Sequence, residues 1–125
     1  MTNKIFNKIK KLPEFKKDFK KLQKKYRTLE SDLDIFIKTQ LNLYHKLKLD
    51  NKGIFQISNL DITNPKIYKA KKFTSKSLKS KGAKSGIRII YAYFEEQDII
   101  EFIQIYYKGK NTTENRERII DNYKS

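Results

Sequence analysis

Nine cations and no acid lie between Ile62 and Phe94: Lys66, Lys69, Lys71, Lys72, Lys76, Lys79, Lys81, Lys84 and Arg88. A surface that is positive only for solubility mixes signs. An unbroken block of one sign is suited to holding phosphates. Lys69 and Lys71 fall two apart in an alternating stretch, so as a strand they share one side. Arg88 opens the next apolar stretch. A guanidinium there needs a carboxylate, for instance Glu101, or it clamps a phosphate through its two-pronged donor geometry. Between them runs TSKSLKSKGAKSG, residues 74–86, where Gly82, Gly86 and four serines predict a mobile loop carrying Lys76, Lys79, Lys81 and Lys84. Further on, IYYKGK sets Tyr106 and Tyr107 on opposite faces, with Lys108 and Lys110 beside them.

The rest of the composition narrows the chemistry. The chain has 125 residues, 29 Lys/Arg against 14 Asp/Glu, and a net charge of +15. That length suits a single domain, residues 1–125, and that charge suits a polyanionic or acidic partner. With no cysteine, thiolate nucleophiles and cysteine zinc sites are excluded. His45 is the sole histidine and is remote in sequence from the cations, so acid–base work would fall to Lys, Tyr or a carboxylate. Glu95, Glu96 and Asp98 read as a solvated turn rather than a metal site, and neither a Walker loop nor a dinucleotide fingerprint is present. No metal or small-molecule cofactor is expected. No apolar run approaches a membrane span and no signal peptide is visible, so a soluble cytoplasmic protein is expected.

The elements that must position these residues follow from periodicity. Lys4–Lys10 reads as a short edge strand. Pro13 suits a helix first turn, and Phe15, Phe19, Leu22 and Tyr26 form a helical stripe. A second helix runs from after Thr28 to about Leu47 with Leu33, Phe36, Ile37, Leu41 and Tyr44 facing inward, which makes a helical hairpin. Residues 54–65 are a loop or a short strand. Ile67–Phe73, Ile87–Phe94 and Ile99–Tyr107 are strands, the last two a hairpin across 95–98. Ile67, Lys69, Lys71 and Phe73 should share one face. Glu114–Lys124 reads as a terminal helix capped by Thr112 or Thr113.

This order and these motifs resemble the RelE/ParE superfamily of toxins. FKKDFKKLQKKYRTLESDL (15–33) resembles its first-helix region. YKAKKF (68–73), SGIRIIYAYF (85–94) and IEFIQIYYKGK (100–110) resemble its three C-terminal strands. The resemblance implies an α+β fold: a helical hairpin on a small twisted, mainly antiparallel sheet, with a short C-terminal helix. For RelE-type members it implies a metal-independent mRNA endonuclease acting at the ribosome and held by an acidic antitoxin. It carries catalytic roles to Lys69, Lys71, Arg88 and Lys108, while charge clustering alone assigns RNA binding to Lys72, Lys76, Lys79, Lys81, Lys84 and Lys110. The RelE branch places a tyrosine beyond the last strand, where this chain has none before Tyr123, so Tyr106 or Tyr107 would substitute. ParE-type members act on gyrase instead, and a degenerate member would only bind RNA or its antitoxin.

Overall fold

The computed structural model describes residues 4–78, 85–109 and 113–124. Its sheet has five strands: β1 (Lys8–Lys11), β2 (Ile54–Gln56), β3 (Lys66–Ala70), β4 (Ile87–Phe94) and β5 (Ile99–Tyr107). Their spatial order is β1-β5-β4-β3-β2. β1 runs parallel to β5, and every other pair is antiparallel. The architecture is therefore the expected α+β class. The segment 54–65, open in the sequence, supplies the edge strand β2.

Two helices lie across one side of the sheet. α1 (Pro13–Gln23) begins with proline at its first position, where a missing N–H costs nothing. Its Phe15 ring stacks on Phe102 of β5 with centroids 5.3 Å apart. α2 (Leu29–Phe36) brings Phe36 to 5.5 Å from Phe73. Burial of each such side chain contributes about 1.5–3 kcal/mol. Strand β3 stops at Ala70, so alternation lapses there. That is why Phe73 turns to the helices instead of sharing the Lys69 face.

α2 does not continue as an α-helix. Ile37–Lys46 is π-helical, with wide turns closed by i→i+5 bonds. Residues five or four apart then sit over one another, and the buried positions become Phe36, Leu41 and His45. Tyr44, expected inward, is only half-buried. His45 enters a box of rings, with centroids 4.5 Å from Tyr93, 4.9 Å from Tyr44 and Tyr68, 5.6 Å from Tyr91 and 6.3 Å from Phe6. Its Nε2 and the Tyr91 hydroxyl are 2.7 Å apart.

The other side of the sheet carries α3 (Arg116–Tyr123). Its cap is Asn115, whose side chain accepts from the Arg118 N–H, and not Thr113; Thr112 lies outside the described residues. The Asn115 N–H donates to Gln104 on β5 at 2.8 Å, and Tyr123 donates to Glu101 at 2.7 Å. Arg118 reaches both Asp18 of α1 (2.7 Å) and the Ile103 carbonyl (2.9 Å), tying the two sides together. Asp98 is no solvated turn residue. It accepts from Tyr93 at 2.9 Å and pairs with Lys46 at 2.7 Å. Among the described residues, no helix is long and apolar enough to cross a membrane.

Burial, with the nearby Lys48 and Lys46 charges, lowers the His45 pKa from 6.5 to about 4. The unfolded chain therefore binds more protons than the folded one between those values. The stability that neutral His45 contributes is complete above about pH 6.5 and is lost as pH falls towards 4, by up to about 3 kcal/mol. Urea melts at pH 7 and pH 4.5 should show this loss, and His45→Phe should remove most of the pH-dependent difference. Equal pH dependence in the variant would assign the loss to carboxylates.

Candidate functional site

Strand pairing decides which cations meet. Phe55, Lys69, Ile90 and Gln104 are register partners across β2, β3, β4 and β5. Directly paired residues of antiparallel strands project to the same side. The next row begins at Lys71, whose N–H donates to the Gly53 carbonyl at 2.7 Å. It continues through Arg88, whose Nη1 donates to the Lys71 carbonyl at 2.9 Å, to Tyr106, the register partner of Arg88. Lys69, Lys71, Arg88 and Tyr106 thus gather on the side away from α1 and α2. Lys108 follows Tyr106 by two residues at the same end, with its N–H on the Gly86 carbonyl at 2.9 Å.

Their electrostatic states differ. Arg88, half-buried, contacts only a carbonyl and has no carboxylate partner among the described residues; Glu101 is engaged by Tyr123 instead. Lys71 is exposed, and its ammonium rests 4.9 Å from the centroid of the Phe55 ring. Lys69 is different. Its ammonium is 3.1 Å from Glu114, just ahead of α3, and both side chains are largely buried. Burial alone would raise the Glu114 pKa, but its own backbone N–H, the Thr113 hydroxyl and Lys69 hold it below the usual carboxylate value. Arg116 adds a second cation at 3.5 Å. The carboxylate is therefore ionised at neutral pH and neutralises Lys69.

The two tyrosines separate as alternation requires. Tyr106 lies on the Arg88 side, but its hydroxyl is sealed from solvent and has no hydrogen-bond partner among the described residues. Tyr107 lies on the helix side, with its ring 6.5 Å from Tyr26 and the Lys25 ammonium 5.7 Å away. It packs over Gly86 (φ 84°), where a Cβ would come within 2.8 Å of the ring. Glycine alone permits both that φ and that approach.

Other expected contacts with the cationic side are not made. Lys72 turns to the edge and donates to the Asn51 carbonyl at 2.7 Å, while Gln40 donates to the Lys72 carbonyl. Lys76 sits in a 3₁₀ turn (Lys76–Leu78) rooted on α2. There the buried carboxylate of Asp32 accepts from Thr28 and Ser75 at 2.8 Å and from the Lys76 N–H at 3.1 Å. Lys79, Lys81, Lys84 and Lys110 lie outside the described residues. The stems of the basic loop are tied together by Ser85, which donates to the Phe73 carbonyl.

A shallow cleft of about 330 Å³ opens beside the cations, lined by Phe55, Ser58, Lys69, Lys71, Glu114 and Arg116, among others. Phe55, Glu114 and Arg116 were not legible as site residues. Glu114 is 45 positions from Lys69, and only the docking of α3 joins them. Phe55 belongs to a segment whose strand character shows only once it pairs with β3.

No family model matches the sequence, and no curated protein matches it. Among solved structures, a chain of the archaeal RelE–RelB complex from Pyrococcus horikoshii OT3 is similar. It shares 14% identity, with 82% of this chain and 96% of that chain covered and a TM-score of 0.49.

Removing the Glu114 charge should release Lys69 to the face. Glu114→Gln is expected to bind a single-stranded oligonucleotide more tightly than wild type, with the log K against log salt slope steeper by about 0.7, one phosphate contact. Fluorescence anisotropy between 50 and 200 mM salt measures both. An unchanged slope would mean that Lys69 stays out of reach of phosphate.

Proposed function

We propose that this protein is the toxin of a toxin–antitoxin pair and an mRNA endonuclease that acts on the ribosome in the cytoplasm. The observation that carries the reading is the convergence of Arg88 and Lys71, neither with a carboxylate partner among the described residues, on one side of a rigid sheet. The Arg88 guanidinium, 2.9 Å from the Lys71 carbonyl, sets two cationic residues side by side, an arrangement suited to gripping one phosphodiester. The resemblance of the strand motifs to RelE-type toxins supports the same reading.

In this reading the reaction is phosphoryl transfer within the substrate. The 2′-OH oxygen forms a bond to the adjacent phosphorus as it loses its proton. The P–O5′ bond breaks, and the 5′-oxygen leaves and takes up a proton. The products are a 2′,3′-cyclic phosphate and a 5′-OH. Negative charge grows on the non-bridging oxygens in the transition state, and cations already fixed in place stabilise it with little reorganisation. Arg88 is assigned the bidentate grip, Lys71 the second contact and Lys108 further charge. Lys69 joins when Glu114 withdraws. Tyr106 is the tyrosine on this side and must be uncovered before it can transfer a proton; Tyr107 faces the helices. The charge of +15 suits an acidic antitoxin as the partner that restrains the protein. A non-catalytic RNA-binding role is favoured by one specific observation, the neutralisation of Lys69 by Glu114.

Induced expression in a bacterial host, with 5′ ends of cellular mRNA mapped for wild type and Arg88→Ala, tests this reading. Wild type should arrest growth and leave new ends within translated messages, and the variant should lose at least about a hundredfold in cutting. Arrest without new RNA ends would point to gyrase. Soluble protein with neither arrest nor cuts would leave RNA or antitoxin binding alone.

A further inference from the structure

We infer that Phe55 is a stacking platform for a base of single-stranded RNA, next to the phosphate grip of Arg88 and Lys71; this rests on the reading of that side as an RNA-binding surface. In strand β2, Ile54 is buried and Phe55 is 44% exposed on the cationic side. A single exposed apolar residue is ordinary. The surroundings of this one are not. Its register partner is Lys69, the Lys71 ammonium lies over its ring, and Arg116 lines the same cleft. An aromatic ring set among cations on a rigid edge is the arrangement that holds single strands: the ring takes the face of any base, and the cations follow the backbone.

Lys71 links the two parts. Its carbonyl accepts from Arg88 and its ammonium rests on Phe55. Two strand spacings, about 10 Å, separate β2 from β4. A base on Phe55 would therefore place its own backbone near Lys71 and Arg88. The ammonium that now rests on the ring would move to that phosphate, a stronger partner than the π-face. Stacking accepts any base, so the platform would add affinity and position with little sequence preference.

The chain has no tryptophan, which makes the test direct. A 2′-O-methyl hexanucleotide, which cannot be cleaved through its 2′-oxygen, is titrated into wild type, Phe55→Ala, Phe55→Trp and Lys71→Ala. Phe55→Ala should bind about tenfold more weakly with an unchanged salt slope, because no phosphate contact is removed. Phe55→Trp should keep wild-type affinity, and its only indole should be quenched by the oligonucleotide but not by inorganic phosphate. Lys71→Ala should flatten the salt slope by about 0.7. If wild type binds and Phe55→Ala binds equally well, or if the Phe55→Trp signal is unmoved, the platform is overturned and the phosphate face stands. If wild type has no affinity for the oligonucleotide, both fall.

Discussion

Antiparallel pairing of Ile87–Phe94 with Ile99–Tyr107 fixes which side of the sheet each residue serves. Side chains alternate with a period of two, so this pairing, with one bulge where the register steps from Ile90–Gln104 to Tyr91–Phe102, settles every position. It sends Tyr91 and Phe102 to the helices and sets Arg88 beside Tyr106 on the other side. A slip of one residue would turn the guanidinium to the helix side and expose the rings that anchor the core. The apolar contacts that prevent that slip, Phe15 on Phe102 and His45 among four tyrosines and Phe6, therefore also hold the cationic face in place.

The two sides differ in what they do with charge. On the helix side the polar groups are consumed within the fold: His45 by Tyr91, Asp98 by Tyr93 and Lys46, Asp32 by Thr28, Ser75 and the Lys76 N–H. On the other side only part of the charge is consumed. Glu114 takes Lys69 and Arg116, while Arg88 and Lys71 meet a carbonyl and an aromatic ring. Contacts of that second kind are weak beside a phosphate and leave both cations available.

Much of this was legible in the sequence, and the failures have physical causes. β4 and β5 were read to the residue because eight or nine apolar-rich positions bounded by EEQD leave little choice. Pro13 marked the start of α1 for the same local reason. The burial of His45 has no sequence signal because an α-helical period puts Tyr44 inward, whereas the π-helical turns bring His45 in with Leu41 and leave Tyr44 half-buried. The parallel pairing of β1 with β5 leaves no local signature. Of the cations, Lys69, Lys71 and Arg88 were found as a group because two adjacent strands carry them. Lys72 and Lys76 were grouped with them by charge alone, and the backbone turns each elsewhere. The Lys69–Glu114 pair and the exposure of Phe55 depend on contacts between distant segments, which periodicity does not encode.

Under the proposed function, the side of the sheet bearing Arg88 and Lys71 receives the phosphates of a single strand. The most direct measurement is a titration of the labelled protein with a non-cleavable oligonucleotide, followed through arginine Nε–Hε and lysine ammonium signals by NMR. Arg88 and Lys71 should shift together and saturate at one affinity, while Lys72 and Lys76 stay near their free positions. Shifts confined to Lys72, Lys76 or the helix side, with Arg88 unmoved, would contradict it.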